Sequence, residues 1–117
     1  MIENFARPAP GTRLCALDEV AEPGAKGFRF RTGEAMFAGF VVRRAGTLVG
    51  YVDSCPHAGW PLAMMDRYLT RDGNALLCAG HGALFRPEDG FCTVGPCAGE
   101  SLTPWPVAVE DGWIVTT

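Results

Sequence analysis

The chain has 117 residues, with 10 Lys and Arg against 13 Asp and Glu, giving a formal net charge of -3. Hydrophobic residues make up 48% of it, which excludes a disordered chain and suits a globular domain with its own core. The slight excess of acidic residues argues against nucleic acid as a partner, because binding to phosphates asks for a basic face. We therefore expect one domain over residues 1–117.

The N-terminal residues contain no long apolar run, since a glutamate and an arginine fall within the first eight positions. This pattern predicts neither a secretory signal nor a membrane anchor, and hence a cytoplasmic protein with no membrane partner. The cysteine count is five, an odd number, so a fully paired disulfide framework does not fit.

Short apolar stretches bounded by turn residues indicate strands along most of the chain. We predict strands over residues 12–17, 28–31, 36–44, 48–52, 75–78, 104–110 and 113–116, a returning segment at 83–85 and a short helical turn over 62–68. Ala45-Gly46-Thr47 and Asp111-Gly112 are predicted hairpin connections, and Cys15 a core residue of the first strand. Many short strands at such spacing predict an all-β sandwich or barrel.

Both histidines of the chain lie close to a cysteine, in two short clusters. The first cluster contains Cys55 and His57, and the second contains Cys78 and His81. A thiolate and an imidazole within a few residues, found twice, indicate a metal site. Two sulfurs and two nitrogens would satisfy either one tetrahedral zinc ion or a two-iron cluster.

The order of these ligands separates the two possibilities. Zinc sites with two Cys and two His usually group the cysteines together and the histidines together. In a Rieske centre one iron takes both cysteines and the other takes both histidines. Two loops that each supply a mixed pair match that asymmetry, so the pairing favours a [2Fe-2S] centre over zinc.

Three segments resemble the Rieske iron–sulfur family. They are Cys-Pro-His-x-Gly from Cys55, Cys-x-x-His-Gly from Cys78, and the later Gly95-Pro96. The resemblance implies an all-β Rieske fold, with an antiparallel β base and a cluster-binding subdomain near residues 53–97. It also implies one [2Fe-2S] cluster per chain, with a proline-containing loop over it at Gly95-Pro96.

The resemblance further implies a role for each of the four ligands. Cys55 and Cys78 would hold the inner iron, and His57 and His81 the outer, solvent-facing iron. High-potential members of the family carry a Ser and a Tyr where this chain has Ala83 and Phe85. Their hydroxyls donate hydrogen bonds to sulfur, which an alanine and a phenylalanine cannot do. The same members have a disulfide between the ligand loops that Trp60 and Gly80 exclude here. We therefore expect a low-potential centre.

No second reactive site is evident, so we predict no catalytic residues. Both histidines are already used, which leaves no facial triad for mononuclear iron, and no dinucleotide fingerprint or nucleophile–base pair is present. The chain is most similar to soluble Rieske ferredoxins, which implies an electron carrier between a flavin-dependent NAD(P)H reductase and a terminal oxygenase, as a monomer or weak homo-oligomer. Two alternatives are a Rieske-like small subunit of a larger reductase, such as assimilatory nitrite reductase, and a redox- or metal-sensing module.

Cys92 and Cys97 flank the Gly95-Pro96 loop. One hypothesis is that the two thiols lie close enough to bond and stiffen the cover of the cluster. In a reducing cytoplasm the favoured interpretation is that both are small packing residues.

Overall fold

The structure is a computed structural model that describes residues 6–54, 62, 68–78 and 82–117. Within these residues the chain forms nine strands and one 3₁₀ turn at Leu17–Glu19. The strands are β1 (Arg13–Ala16), β2 (Gly24–Thr32), β3 (Ala35–Arg44), β4 (Thr47–Val52), β5 (Leu76–Leu77), β6 (Leu84–Phe85), β7 (Cys92–Val94), β8 (Val107–Glu110) and β9 (Trp113–Thr116). None of the described residues forms a helix with the length and apolarity needed to cross a bilayer.

The strands form three small antiparallel sheets. Their orders are β1-β9-β8, β2-β3-β4 and β5-β6-β7. Long hairpins dominate the second sheet, where β2 and β3 stay in register from Gly24↔Arg43 to Thr32↔Ala35. The predicted all-β class is confirmed.

The predicted hairpin turns are also present. Ala45 and Gly46 both have positive φ angles, 52° and 79°, and so do Asp111 and Gly112, at 52° and 78°. Two consecutive positive φ values are the signature of the tight turn whose twist matches that of antiparallel strands. These turns fix the register of the β3–β4 and β8–β9 pairs, and β1 then pairs with β9, which buries Cys15 as predicted.

Strand β3 is buried on both faces, which explains why its sequence is an apolar run rather than a clean alternation. On one face Phe37 packs edge-on against Trp105, with ring centroids 5.2 Å apart. On the other face Phe40 stacks on Tyr68, with centroids 4.3 Å apart. The second face carries the core that continues under the β5-β6-β7 sheet. Strand β3 therefore connects the base to the part of the chain that holds the predicted ligands.

Gly39, in the middle of β3, gives a first prediction. A Cβ atom placed there would collide with the indole ring of Trp105, which is itself fully buried. Gly39→Ala is therefore expected to destabilise the fold by about 3 kcal/mol through overpacking. Urea unfolding followed by circular dichroism measures the loss. Gly112→Ala is the control, because a Cβ atom there would meet open space and only the positive φ is unfavourable. Its loss of stability should stay at about 1 kcal/mol. Equal losses for the two variants would contradict the packing explanation.

The sequence did not predict β7. This strand has only three residues, and it pairs with β6 through Leu84↔Val94 and Phe85↔Cys92, with an irregular register between them. Three residues between turn signals carry too little periodicity to be told from a loop. The pairing brings Cys92 into the core next to Phe85, both with no exposed surface.

Candidate metal centre

The segment with the first predicted ligand pair follows β4. This strand ends at Val52, and its direction leads the chain towards Cys55 and His57. The next residue, Asp53, donates its backbone N–H to the carbonyl oxygen of Ala38 on β3, at 2.9 Å. The segment therefore starts from a point that is fixed to the central strand of the base.

The carboxylate of Asp53 fastens both sides of this segment. One oxygen accepts a hydrogen bond from the backbone N–H of Leu62 at 2.8 Å, and the other from the hydroxyl of Tyr68 at 2.9 Å. Asp53 is only 6% exposed, and a buried carboxylate is tolerated only where donors compensate its lost hydration. The two bonds tie the start of the segment to the two described residues that follow it.

Sequence reasoning missed the role of Asp53. The sequence contains one signal for it, an acidic residue between an apolar strand and the predicted ligand Cys55. A residue at such a place is expected to be buried, and a buried carboxylate needs hydrogen-bond donors. Its partner Tyr68 is fifteen residues further along, so no local pattern identifies the pair. Tyr68 in turn stacks on Phe40, which connects the carboxylate to the core.

The second predicted ligand pair lies on the connection from β5 to β6. Cys78 follows β5 directly and has no exposed surface. Its backbone N–H donates to the carbonyl oxygen of Ala83, and its own carbonyl accepts from the N–H of Gly82, both at 2.9 Å. Gly82 has a φ of 70°, a left-handed conformation that a glycine adopts without strain. The ends of this loop are therefore closed by the main chain.

A third segment packs on the second ligand loop. Gly95 has a φ of 104°, and a Cβ added to it would lie 2.8 Å from the Cα of Ala83. Only a glycine allows this close approach of the two backbones. The predicted cover loop at Gly95-Pro96 thus touches the second ligand loop, while its neighbours Val94 and Pro96 face solvent.

The two positions that bear on the reduction potential are fully buried. Ala83 and Phe85 have no exposed surface, and Phe85 pairs with Leu76 on β5 and with Cys92 on β7. Neither side chain has a polar hydrogen to donate. Both residues share one buried hydrophobic cluster with Cys78.

Polar contacts hold the β6–β7 turn, both to the base and within the turn itself. The hydroxyl of Tyr51 donates to the carbonyl oxygen of Pro87 at 2.7 Å. Burial, together with the nearby carboxylates of Asp89 and Glu88, raises the pKa of Tyr51 above its ordinary value, so it remains a neutral donor. The hydrogen bond from Arg86 lowers the pKa of Asp89, which keeps that ion pair formed. The turn is thereby held by groups that keep their charge state near neutral pH.

Of the four predicted ligands, the structure describes Cys78. Cys55, His57 and His81 lie outside the described residues, and so does most of the predicted helical turn over 62–68. Within the described part of the chain, no group of three or more His, Cys, Asp or Glu side chains is placed to hold a metal ion.

The described surroundings fit an iron–sulfur cluster. Cys78, one of the predicted ligands, has no exposed surface and lies at a loop whose ends are hydrogen-bonded. Asp53 fixes the ends of the other loop, and Gly95 lets a third segment approach closely. Iron–sulfur clusters are held by cysteine thiolates. The reduction potential of the cluster depends on such hydrogen bonding and on the exclusion of solvent.

Comparison with known proteins agrees with this site. A model of the Rieske [2Fe-2S] domain matches residues 12–109. Among solved structures, the ferredoxin of carbazole 1,9a-dioxygenase from Nocardioides aromaticivorans is 20% identical, with a TM-score of 0.72 over 93% of this chain and 98% of that one. A Sphingomonas yanoikuyae ferredoxin is 26% identical, with a TM-score of 0.67 over 91% of this chain and 96% of that one.

A further similar structure is the complex of reduced oxygenase and oxidized ferredoxin in carbazole 1,9a-dioxygenase. The matched chain is 23% identical to this one, with a TM-score of 0.70 over 90% of this chain and 90% of that one. No curated protein matches the chain. The family model spans most of the sequence, including both Cys-and-His clusters and the Gly95-Pro96 loop. The chain therefore belongs to the Rieske [2Fe-2S] family, and its cofactor is a Rieske-type [2Fe-2S] cluster.

Proposed function

We propose that this chain is a single-domain, cytoplasmic electron carrier that takes electrons from a flavin-dependent NAD(P)H reductase and passes them to a terminal oxygenase. The observation that carries the proposal is the Rieske family match over residues 12–109. Support for the acceptor comes from a similar structure, in which a ferredoxin is in complex with the oxygenase of carbazole 1,9a-dioxygenase.

The proposed ligands are Cys55 and Cys78 for the inner iron and His57 and His81 for the outer iron. When bound, the cluster supplies a centre that accepts and releases one electron at a time. The protein's part is to fix the two loops: Asp53 holds the first, and the main-chain bonds at Cys78 hold the second. Fixed ligand loops keep the geometry similar in both redox states, which favours rapid transfer.

The proposed docking face for the oxygenase contains the exposed cover loop. Val94 is 51% exposed, and Gly95 and Pro96 beside it also face solvent. Of these, Gly95 lies against Ala83, which is only two residues from the proposed ligand His81. An apolar, uncharged patch next to the cluster suits a transient partner that must come close for electron transfer and then leave.

The visible spectrum and low-temperature EPR of the purified protein, before and after dithionite, test the cofactor and its ligands. We expect a red-brown protein whose reduced form gives a rhombic EPR signal with a low average g value. Cys78→Ser should abolish the signal. Cys15→Ala should keep it, because Cys15 lies in a different core cluster from Cys78. A colourless wild-type protein with one bound zinc would overturn the proposal.

The electron path is tested separately with the loaded protein. A flavin-dependent NADH reductase from a dioxygenase system should bleach the cluster absorbance in the presence of NADH, and an oxidised Rieske oxygenase should then restore it. A protein that shows the Rieske EPR signal but exchanges electrons with neither component would retain the cofactor assignment and refute the carrier role.

A further inference from the structure

We propose that Cys92 and Cys97 form a reversible disulfide that locks the Gly95-Pro96 loop against the second ligand loop. Both residues are buried thiols, with 0% and 1% exposure, and their sulfur atoms are 3.1 Å apart. A disulfide bond is about 2.05 Å long, so the sulfurs need to approach by only about 1 Å.

The backbone already holds the two cysteines side by side. The N–H of Cys92 donates to the carbonyl oxygen of Glu100 at 2.8 Å, and the N–H of Gly99 donates to the carbonyl oxygen of Cys92 at 3.0 Å. The N–H of Glu100 also donates to the carbonyl oxygen of Cys97, at 2.9 Å. These bonds close residues 92–100 into a small loop, which keeps the two sulfur atoms close to each other.

The thiols become accessible when this loop opens. The residues between and after the two cysteines, 93–96 and 98–100, are all exposed, and Gly95 and Gly99 have positive φ angles. Exposed loops with few buried side chains open at low free-energy cost. Cys97 has exposed neighbours on both sides, whereas Cys92 lies in β7, so Cys97 is the thiol that reacts first.

The oxidant in the proposal is hydrogen peroxide. The Cys97 thiol loses its proton and the thiolate attacks one peroxide oxygen; the O–O bond breaks, and the leaving hydroxide takes up that proton, so that a sulfenic acid and water form. The Cys92 sulfur then attacks the sulfenic sulfur, the S–O bond breaks, and a second water leaves. Two thiols and one peroxide thus give one disulfide and two waters, and a cellular dithiol reductant reverses the change.

The consequence of the bond follows from the contact of Gly95 with Ala83. The loop that the disulfide closes is the one that packs on the segment between Cys78 and β6. A cross-link reduces the number of open conformations of the chain between its two ends. The bond should therefore keep the cover closed and slow the loss of the cluster; this second effect rests on the proposed ligand set, whereas formation of the bond does not.

Peptide mapping of the holoprotein tests the bond itself. The protein is treated with graded hydrogen peroxide while the cluster absorbance is recorded, then denatured, alkylated and cleaved after glutamate. Cleavage at Glu88 and Glu100 releases a peptide that contains Cys92 and Cys97 and no other cysteine. We expect this peptide to become lighter by two hydrogen atoms and resistant to alkylation before the absorbance falls. Cys15, which has no cysteine neighbour in its core cluster, should remain alkylated throughout.

Two results would overturn the proposal. In one, both thiols stay open to alkylation, or are oxidised separately to sulfinic acids, while the cluster is intact. In the other, the bond appears only after the absorbance is lost, which would mark it as a product of unfolding.

The protective effect is tested by the rate of bleaching in moderate urea. Pre-oxidised protein should lose its cluster about tenfold more slowly than the dithiol form, and dithiothreitol should cancel the difference. Cys97→Ala, and separately Cys92→Ala in case one variant folds poorly, should make the rate insensitive to peroxide pretreatment. Equal rates for the oxidised and reduced wild-type protein would refute the protective role.

Discussion

Replacing Asp53 with alanine is expected to destabilise the protein by about 3 kcal/mol and to speed the loss of the cluster by at least an order of magnitude. The carboxylate accepts hydrogen bonds from the Leu62 N–H and the Tyr68 hydroxyl, all within the core. Alanine removes the acceptor from both of these buried hydrogen bonds, and the loss of such a bond costs about 1–3 kcal/mol. Removal of a buried charge offsets part of that cost.

Two further variants separate hydrogen bonding from packing. Asp53→Asn keeps the shape and one acceptor, so it should lose less stability than Asp53→Ala. Tyr68→Phe keeps the ring stacked on Phe40 and removes only the hydroxyl. In the Asp53→Ala background the same change should cost little, because the hydrogen bond between the two side chains is already absent.

Urea unfolding followed in parallel by circular dichroism and cluster absorbance measures these effects. The expected signature is non-additivity, with the double variant more stable than the sum of the two single losses predicts. Additive losses would contradict the shared hydrogen bond. A cluster as stable in Asp53→Ala as in the wild type would show that Asp53 supports the fold without holding the first ligand loop.

The part of the fold that follows from local patterns could be predicted from the sequence. The apolar run of β3 and the Asp111-Gly112 turn both depend on residues within one strand or one turn. In the same way, the order of cysteine and histidine in the two clusters was enough to choose iron–sulfur over zinc, and the family match agrees with that choice. Local chemistry is sufficient where each element is specified by its own residues.

The features that the sequence did not reveal depend on contacts between distant segments. The partners of Asp53 are nine and fifteen residues away, and nothing in their spacing marks them. The positions of Cys92 and Cys97 beside the Gly95-Pro96 loop suggested their closeness as one hypothesis, but their spacing alone could not decide it, because the contact depends on the irregular register of β7 and on the turn that follows. Such contacts are decided by packing, which a one-dimensional pattern does not record.

The second large effect concerns the reduction potential. Ala83→Ser and Phe85→Tyr together are expected to raise it by on the order of 100 mV. Each variant adds a hydroxyl at a position where high-potential relatives donate a hydrogen bond to sulfur. A hydrogen bond to a charged acceptor is worth about 1.5–3 kcal/mol, and about 1.4 kcal/mol corresponds to roughly 59 mV for one electron. The added negative charge of the reduced cluster strengthens the bond, so the reduced state gains more and the potential rises.

Because both positions are buried, the test isolates the effect of the added hydroxyls. Ala83 and Phe85 have no exposed surface, so water does not compete with a new hydroxyl for the sulfur. Phe85→Leu and Ala83→Gly are the matched controls, because they alter packing at the same buried positions without adding a donor. These controls should leave the potential within about 20 mV of the wild type if hydrogen bonding dominates.

Redox titration followed by EPR gives the potential of each variant. The single variants should each raise it, and the double variant should raise it by nearly the sum, because the two hydroxyls reach different sulfur atoms in the high-potential relatives. A loaded double variant with a normal Rieske signal and an unchanged potential would contradict the hydrogen-bond explanation. A low potential in the wild type, if the same titration finds one, would then have to arise from the solvent exposure or net charge of the centre, which titrations of surface-charge variants would reveal.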